Sequence, residues 1–374
     1  MLEFLGISKI KEIMVVDIGT ASVSAAIARL AEGKTPEIIG VFREPFSLFS
    51  FESIIDRDKK ALNTITAALR SVFEKAKSAM PHPDEILISL SEPFFQERIL
   101  TKQWVRKSPD LAISEAELKL QIASPFGDAI SESAKLLCFS QIILSAAVNG
   151  YSVATPIGYR GKQAEIVISG MFMSSLLKER IDDATHYHFP KINVRFFADP
   201  YVLREAVSKM RDILYPALII DTGGEITGIS FCKESKSCFL LRPVFIGVRT
   251  IERKLASSLN SSISHSESLL RRLVAGTLDA SESSKIGASA RFVASEWWQK
   301  IGSSIEESAL PGASSIVLGG QGRDLPFFSE CILQNSANPP KIILLASPLG
   351  DTVPRGALSS GSDIVLASLL SFSL

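Results

Sequence analysis

Three short glycine-containing segments have the residue types that bind phosphate groups in proteins. Residues 17–20 have the sequence Asp-Ile-Gly-Thr and follow the apolar run 13–16, while residues 221–224, Asp-Thr-Gly-Gly, follow the apolar run 217–220. The third segment, Gly-Gly-Gln-Gly at 319–322, ends another apolar run. Glycine permits positive φ and lacks a Cβ, so consecutive backbone N–H groups in such turns can approach a phosphate closely. Each segment is a candidate phosphate-binding turn.

Two of these segments begin with an aspartate that could act on a metal ion. Mg²⁺ loses its bound waters reluctantly, so Asp17 and Asp221 are expected to hold its hydration shell without touching the phosphate. An Asp-x-Gly sequence is also common in plain β-turns, where both residue types are favoured for backbone reasons. The order of all three segments along one chain makes the phosphate interpretation stronger than any single turn does.

The first two segments lie in predicted β-hairpins. Residues 12–29 have the pattern of a strand, a turn and a second strand, and the apolar run before Asp221 is followed by another strand at 226–232. The two hairpins resemble each other in sequence, which predicts a chain of two related halves. Two such turns facing each other could clamp one ligand between them.

The rest of the chain is predicted to be α/β. Residues 84–175 combine strands with a helix that begins at Ser114, where Glu117 completes a capping box, and this stretch is interpreted as an inserted small subdomain. Apolar spacing predicts further helices at 51–80, 174–186, 200–214, 251–259, 266–274, 288–307 and 363–374. The predicted strands that remain are 85–90, 136–147, 163–173, 193–197 and 315–318.

Composition limits the possible functions. A chain of 374 residues exceeds one hydrophobic core and should divide into lobes that leave room for a cleft. Lys plus Arg equals Asp plus Glu at 40 each, so no net charge favours nucleic acid or an anionic membrane as a partner, which leaves only a local basic patch as an alternative. The four cysteines are scattered, which argues against metal sites and disulfide frameworks. For the pair His186 and His188 a packing role is favoured over a zinc site.

The order of the three turns resembles the phosphate-one, phosphate-two and adenosine motifs of the actin, sugar-kinase and Hsp70 superfamily. Within it, the insertion resembles that of the cell-division protein FtsA, especially Asn-Gly-Tyr at 149–151 and the segment 155–161, Thr-Pro-Ile-Gly-Tyr-Arg-Gly. Three further segments fit the same family: 198–200 with Glu205, 246–251, and the helix that holds Glu267 and Arg271.

The resemblance implies an actin-like ATPase fold, with two related lobes around a nucleotide cleft and an FtsA-type inserted α/β subdomain. The lobes would comprise residues 1–83 with 176–214, and 215–374, the second having a reduced outer subdomain, while 84–175 would form the insertion. The ligand would be ATP or ADP with Mg²⁺, held by Asp17 and Asp221 through water. The implied nucleotide-binding residues are Asp17, Gly19, Thr20, Asp221, Gly223, Gly224, Gly247, Glu267, Arg271, Gly319, Gly320 and Gly322.

The chain departs from the FtsA pattern around its second turn. FtsA usually has glycine, threonine and aspartate where this sequence has Glu225, Thr227 and Gly228. A carboxylate at Glu225, the one candidate catalytic residue, would repel a γ-phosphate. We therefore expect at most a weak ATPase. The stretch 238–315 is also short for the FtsA subdomain that binds the tubulin-like protein FtsZ.

Three functions follow from the resemblance. The first is an FtsA-like scaffold of bacterial cell division that self-associates into a dimer or protofilament and links the division ring to partners such as FtsZ. The second is a PilM-like type IV pilus assembly protein, recruited by a cytoplasmic peptide of a membrane protein. The third is a small-molecule kinase with Asp199 as its general base. No signal peptide or membrane span is predicted, so we expect a cytoplasmic protein that reaches the membrane only through partners.

Overall fold

The computed structural model describes residues 10–46, 59–123, 135–235, 237–335, 339–349 and 358–372. The strands are β1 Lys11–Ile18, β2 Ser22–Leu30, β3 Glu37–Pro45, β4 Glu85–Leu90, β5 Gln96–Val105, β6 Leu136–Val148, β7 Tyr151–Val153, β8 Gln163–Ser174, β9 Asn193–Ala198, β10 Ala217–Thr222, β11 Thr227–Glu234, β12 Ser237–Leu240, β13 Ser315–Gly319 and β14 Lys341–Leu344. The helices are α1 Lys59–Ala79, α2 Glu115–Ala123, α3 Ser175–His188, α4 Asp199–Ser208, α5 Val248–Leu259, α6 Ile263–Val274, α7 Ala280–Glu307, α8 Pro326–Asn335 and α9 Ile364–Ser371.

Two five-stranded sheets repeat one arrangement. The first has the order β3-β2-β1-β4-β9 and the second the order β12-β11-β10-β13-β14. In each, the first three strands form an antiparallel meander and the last two run parallel to the central strand. Asp17 pairs with Ser24 in the first sheet, and Asp221 pairs with Gly228 in the second. The predicted duplication of the chain is confirmed.

Strand alternation divides the buried residues between an outer and a shared core. Met14 and Val16 of β1 face an outer core with α1 and α3, whereas Ile13 and Val15 face a core that also contains residues of α4 and α9. Ile219 of β10 enters that same shared core from the second sheet. Helices α4 and α9 thus lie between the two sheets and join the lobes through one continuous apolar layer.

The second sheet has its own helical cover. Residues of α5, α6, α7 and α8 pack against its outer face. Trp297 of α7 is fully buried there, and its Nε1–H donates to Thr227 Oγ1 at 3.0 Å. Helix α7 begins earlier than predicted, because the side chain of Asp279 caps the N–H of Glu282 and adds two turns.

The inserted subdomain is an antiparallel sheet of order β5-β8-β6-β7 with α2 beside it. The expected boundary at residue 84 is wrong, because β4 pairs in parallel with β1 and belongs to the first sheet. All six residues of β4 are buried, which is typical of a central parallel strand. The closing helix α9, expected in the second lobe, packs on β1, β2 and α4 of the first lobe.

The structure also bears on the predictions for the cysteines and for the histidine pair. The sequence argued against disulfides. In the structure Cys232 and Cys238, six positions apart, are paired across β11 and β12 and form a disulfide, because the hairpin brings them opposite each other. His186 and His188 lie on helix α3, where His188 is buried and its Nδ1 lies 2.9 Å from the carbonyl oxygen of Ala184.

The predicted helix at 51–80 is present as α1, and its first eight positions lie outside the described residues. Within the described ranges, no helix is long and apolar enough to cross a membrane.

Candidate functional site

A small cavity lies between the lobes, where the turns after β1 and β10 meet. It encloses about 70 Å³ and is bounded by the two hairpin turns, the start of α4 and the turn after β13. Seven of the predicted nucleotide-binding residues line it: Asp17, Gly19, Thr20, Asp221, Gly223, Gly224 and Gly320. The structure therefore brings the three candidate phosphate turns together at one place.

The two hairpin turns have matching geometry. The N–H of Gly19 donates to the carbonyl of Ser22 at 3.0 Å, and the N–H of Gly223 donates to the carbonyl of Ile226 at the same distance. Both turns thus place an aspartate at the end of one strand and a glycine two residues later. The sequence similarity between the halves reflects a shared local structure.

Helix α5 orients the second turn. The first N–H groups of this helix, from Val248 and Arg249, donate to the carbonyls of Gly223 and Gly224 at 3.1 and 2.8 Å. In a trans peptide the next N–H points opposite to the carbonyl, so the N–H groups that follow these two carbonyls point toward the first lobe. A side chain at Gly247 would place its Cβ 2.4 Å from the Gly224 carbonyl oxygen, so only glycine fits there. The turn presents backbone donors that could bind an anion.

In this structure the two turns touch. The backbone N–H of Glu225 donates to Thr20 Oγ1 at 3.1 Å, and a Cβ added to Gly224 would lie 2.2 Å from that of Ala21. The remaining space is far below the several hundred Å³ of a typical small-molecule pocket. A nucleotide therefore requires the hairpins to separate.

Four carboxyl groups surround the cavity, and no lysine or arginine is among the residues that line it. Burial raises the pKa of Asp221 to about 7, with a further contribution from Asp199. Burial, followed by the charge of Asp221, raises the pKa of Glu92 to about 8. Burial and the charges of Asp199 and Asp221 raise the pKa of Asp17 well above its usual range. The cavity holds a concentration of negative charge that favours protons or cations.

One atom in the cluster points to a cation in particular. Oδ1 of Asp17 is buried and has no hydrogen-bond partner. A buried carboxylate oxygen without a partner is unfavourable unless a donor or a cation reaches it. Among the described residues, no group of three or more His, Cys, Asp and Glu side chains is arranged to ligate a metal directly. Asp17 and Asp221 fit a hydrated cation, whose bound waters would supply the missing donors.

Asp199 lies at the first position of α4 and is 3% exposed. The hydroxyls of Ser89 and Ser91, from the end of β4, donate to its two carboxylate oxygens. These bonds lower its pKa but burial outweighs them, and the pKa is raised to about 6. Asp199 therefore lines the cavity, as a general base would, with both oxygens already engaged by serine hydroxyls.

Glu92 was not among the residues named from the sequence. It follows β4. When the two halves of the chain are compared, Ser91 and Glu92 take the positions that Gln321 and Gly322 of the third turn take in the second half. A Cβ added to Gly228 would lie 3.0 Å from Glu92 Oε2, so the carboxylate reaches across to β11. Comparison of the residues that follow β4 with those that follow β13 could have identified Glu92 from the sequence.

The structure does not support Glu225 as a catalytic residue. Its side chain is 2% exposed, and its two oxygens accept hydrogen bonds from Arg253 Nη1 and Nη2 at 2.8 and 2.7 Å. The carboxylate is absent from the cavity lining. Its pairing with Arg253 fixes the second turn against α5, which removes the repulsion expected at the phosphate.

Glu267 and Arg271 do not reach the cavity. They lie four residues apart on α6 and form an ion pair with each other, with side chains 43% and 78% exposed. Leu269 and Leu270 of the same helix enter the core, which turns the charged pair outward. The resemblance of this helix to the family placed both residues at the nucleotide, and in the structure they face away from the cavity.

The third turn packs on the second. Gly320 has a φ of 69°, and a Cβ there would lie 2.5 Å from Asp221 Oδ1. A Cβ on Gly322 would lie 2.5 Å from the Thr222 side chain, while Gly319 pairs with Asp221 in the sheet. Gly319 and Gly322 thus support the cavity from behind without lining it, and glycine is required because the two turns are in contact.

Comparison with known proteins defines the fold. No family model matches the chain, and no curated protein matches its sequence. The PilM–PilN type IV pilus biogenesis complex contains a chain 13% identical, with a TM-score of 0.66 over 96% of this chain and 98% of that one. The ethanolamine utilization protein EutJ from Carboxydothermus hydrogenoformans is 12% identical, with a TM-score of 0.49 over 96% and 89% of the two chains. MreB5 of Spiroplasma citri bound to ADP is 11% identical, with a TM-score of 0.49 over 97% and 96%. The protein has the actin-like ATPase fold.

Proposed function

We propose that this protein is a nucleotide-responsive scaffold that binds ATP or ADP, together with Mg²⁺, between its two hairpin turns. The observation that carries the proposal is that Asp17 and Asp221 occupy equivalent positions in two duplicated hairpins and line one cavity. The glycine turns would supply backbone N–H groups to the phosphates.

Electrostatics makes the cation essential to this proposal. The cavity lining contains four carboxyl groups and no basic side chain, so a bare polyphosphate would be repelled. Mg²⁺ would neutralise part of the phosphate charge while Asp17 and Asp221 hold its water shell. We therefore expect nucleotide to bind only as its magnesium complex.

Nucleotide binding would also change how the lobes meet. The contact of Glu225 with Thr20 closes the space that phosphates would fill, so binding requires this contact to open. A ligand that binds the open form better shifts the population of the two forms. This makes the nucleotide a conformational signal that partner proteins can detect.

Turnover is expected to be slow. Glu225 is paired with Arg253, and Asp199 already accepts hydrogen bonds from two serines. Hydrogen bonds donated to a carboxylate make it a weaker base. These arrangements favour a scaffold over a kinase or a fast ATPase.

For the partner, we infer a type IV pilus role in preference to a cell-division role. Among the three structures compared above, the chain of the pilus biogenesis complex has the highest TM-score, and that fold similarity supports a scaffold that assembles with a partner protein. The FtsA-like alternative predicts self-association into protofilaments and binding to FtsZ. Sedimentation with and without MgATP, together with pull-down by cytoplasmic peptides of pilus membrane proteins, distinguishes the two.

The test of the site is calorimetry of ATP and ADP with and without Mg²⁺. We expect magnesium-dependent binding in the wild type and its loss in Asp17→Ala and Asp221→Ala. Asp183→Ala, an exposed acid on α3, is the matched control and should bind like the wild type. Absence of binding in the wild type, or equal binding by all four proteins, would refute the proposal. Phosphate release at many turnovers per minute would refute the scaffold role while leaving the site intact.

A further inference from the structure

The loops at the far end of the inserted sheet form a defined surface. Val105 at the end of β5 pairs with Gln163 at the start of β8, and Val148 of β6 pairs with Tyr151 of β7. The loop 106–113 and the segment 149–162, which contains the short strand β7, therefore emerge at one end of the sheet, and we call them the distal tip. The opposite end of the sheet connects to β4 and α3. Ten residues of β5 separate the two ends, which is about 30 Å.

The distal tip is built around a buried arginine. The side chain of Arg106 is 3% exposed and donates from Nε and Nη2 to the two oxygens of Glu117 at 2.8 and 3.0 Å. Its Nη1 also donates to the carbonyls of Leu111 and Gly161, one from each loop, at 2.8 and 3.2 Å. A single guanidinium therefore fixes both loops to α2.

Backbone bonds join the two loops directly. The N–H of Ile113 donates to the carbonyl of Tyr159 at 2.8 Å, and the N–H of Gly158 donates to the carbonyl of Ile113 at 2.9 Å. The N–H of Gly161 donates to the carbonyl of Pro109 at 3.0 Å. The loops have the hydrogen bonding of an ordered structure, so the side chains they present are held in defined positions.

These ordered loops expose large apolar side chains. Leu111 is 65% exposed, Ile157 40%, Tyr159 48% and Tyr151 77%. Removing such side chains from water is favourable. Four of them exposed together on the ordered distal tip indicate that it binds another surface. They lie at the end of the inserted sheet that is opposite to its connections with β4 and α3.

Charge indicates which surface that is. Lys107, Arg160 and Lys162 are exposed on the same loops, and Asp110 is the one acidic residue at 106–113 and 149–162. The whole chain has equal numbers of acidic and basic residues, so this positive charge is local. Tyrosine with lysine and arginine around apolar side chains is the composition of the membrane interface, where rings lie among headgroups and cations contact phosphates.

We propose that the distal tip is a peripheral docking surface for an anionic lipid membrane. Ile157, Tyr159 and Leu111 enter the headgroup region, while Lys107, Arg160 and Lys162 contact lipid phosphates. The local excess of basic over acidic side chains favours an anionic lipid surface over a neutral one. The rigid sheet then holds the nucleotide lobes roughly 30 Å from the lipid.

The experiment is co-sedimentation of the full chain with vesicles of phosphatidylcholine, with or without phosphatidylglycerol. We expect binding to the anionic vesicles, weaker binding at high salt, and little binding to the neutral ones. Ile157→Ser with Tyr159→Ser, and separately Lys107→Gln with Arg160→Gln and Lys162→Gln, should each lower the partition coefficient about tenfold or more.

Two control variants make the same kinds of substitution at exposed positions outside the distal tip. Ile263→Ser with Tyr187→Ser removes two exposed side chains, 46% and 76% exposed, outside the tip. Arg70→Gln with Lys77→Gln and Lys300→Gln removes three exposed cations. Both controls should bind vesicles like the wild type, and all variants should keep the wild-type melting temperature.

Two results would overturn the proposal. One is a wild-type protein that does not sediment with anionic vesicles. The other is vesicle binding that the tip variants and the matched controls reduce equally. If the tip variants instead lost only self-association or capture by a partner protein, the surface would be a protein interface and the membrane assignment would be wrong.

Discussion

The backbone N–H of Glu225 donates a hydrogen bond to Thr20 Oγ1 over 3.1 Å and so joins the second hairpin turn to the first. Both residues are buried, at 3% and 4% exposure, and they are 205 positions apart in the chain. The hydroxyl lies where the N–H groups of the second turn point, which is the place we propose for a phosphate oxygen. The same donor therefore either holds the lobes together or binds the ligand.

Replacing Thr20 with valine should destabilise the unliganded protein by about 1–3 kcal/mol, because a buried N–H loses its acceptor. Thr20→Ser keeps the hydroxyl and should lose only about 1 kcal/mol for the missing methyl. Urea unfolding of the two variants gives the comparison. Equal losses would mean that the contact seen between the hairpins does not stabilise the protein.

Arg253→Met should also destabilise the protein, by about 1–3 kcal/mol, since it leaves the buried carboxylate of Glu225 without its partner. Arg253 is 47% exposed, so water can replace part of the interaction and the loss stays below that of a fully buried pair. Arg253→Lys keeps the charge without the two-pronged geometry and should lie between. Unfolding in urea measures the order, and a neutral Arg253→Met would contradict the structural role given to Glu225.

Gly320→Ala should be more damaging than Gly276→Ala, although φ is +69° at one and +67° at the other. A Cβ at Gly276 meets nothing within 4 Å, so only backbone strain of about 1–2 kcal/mol is expected. At Gly320 the Cβ also meets the carboxylate of Asp221 at 2.5 Å, and the total should reach about 2–5 kcal/mol. Thermal melts test the difference, and equal shifts would show that the third turn does not pack against the second.

The acidic cavity predicts how stability changes with pH. Carboxyl groups in the unfolded chain have a pKa of about 4. In the folded protein burial raises the pKa of Asp199 to about 6, that of Asp221 to about 7 and that of Glu92 to about 8. The folded state therefore binds more protons than the unfolded state between these values, and the free energy of unfolding falls as pH rises. In the metal chelator EDTA, the melting temperature should decrease between pH 5 and 8.

Mg²⁺ and one substitution test the origin of that slope. Mg²⁺ should raise the melting temperature at pH 8, where the carboxylates are charged, and have little effect at pH 5. Asp221→Asn should flatten the slope, while Asp183→Asn, at an exposed position on α3, should leave it unchanged. A melting temperature that rises over this range, or that ignores Mg²⁺ at both pH values, would contradict the assignment of the cavity as a cation site.

Local patterns predicted the parts of the fold that depend on neighbouring residues. The apolar runs before Asp17 and Asp221, each followed by a glycine turn, predicted two hairpins, and the structure confirms them. Helix spacing predicted α1 for the same reason, since its buried residues recur at helical intervals. These features follow from side-chain periodicity and turn chemistry, which sequence alone contains.

Helix orientation decided which predicted residues reach the site. The family resemblance placed Glu267 and Arg271 at the nucleotide, yet Leu269 and Leu270 turn their helix so that the charged pair faces outward. Conversely, Glu92 reaches the cavity because β4 pairs in parallel with β1, with partners such as Ile18 and Leu90 that are 72 positions apart in the chain. Such pairings depend on contacts that no local pattern encodes.

The sequence by itself determined the actin-like α/β fold, the duplication of the hairpins and the meeting of Asp17, Asp221 and the glycine turns. Strands and turns are set by residues close together in the chain, whereas the fold and the meeting of the turns followed from the resemblance of the motif order to a known superfamily. Only the tertiary structure decided that Glu225 pairs with Arg253, that Asp199 and Glu92 complete the acidic cluster, and that the hairpins touch. Those results depend on the distance between lobes and on the direction of each side chain, which are fixed when the cores pack.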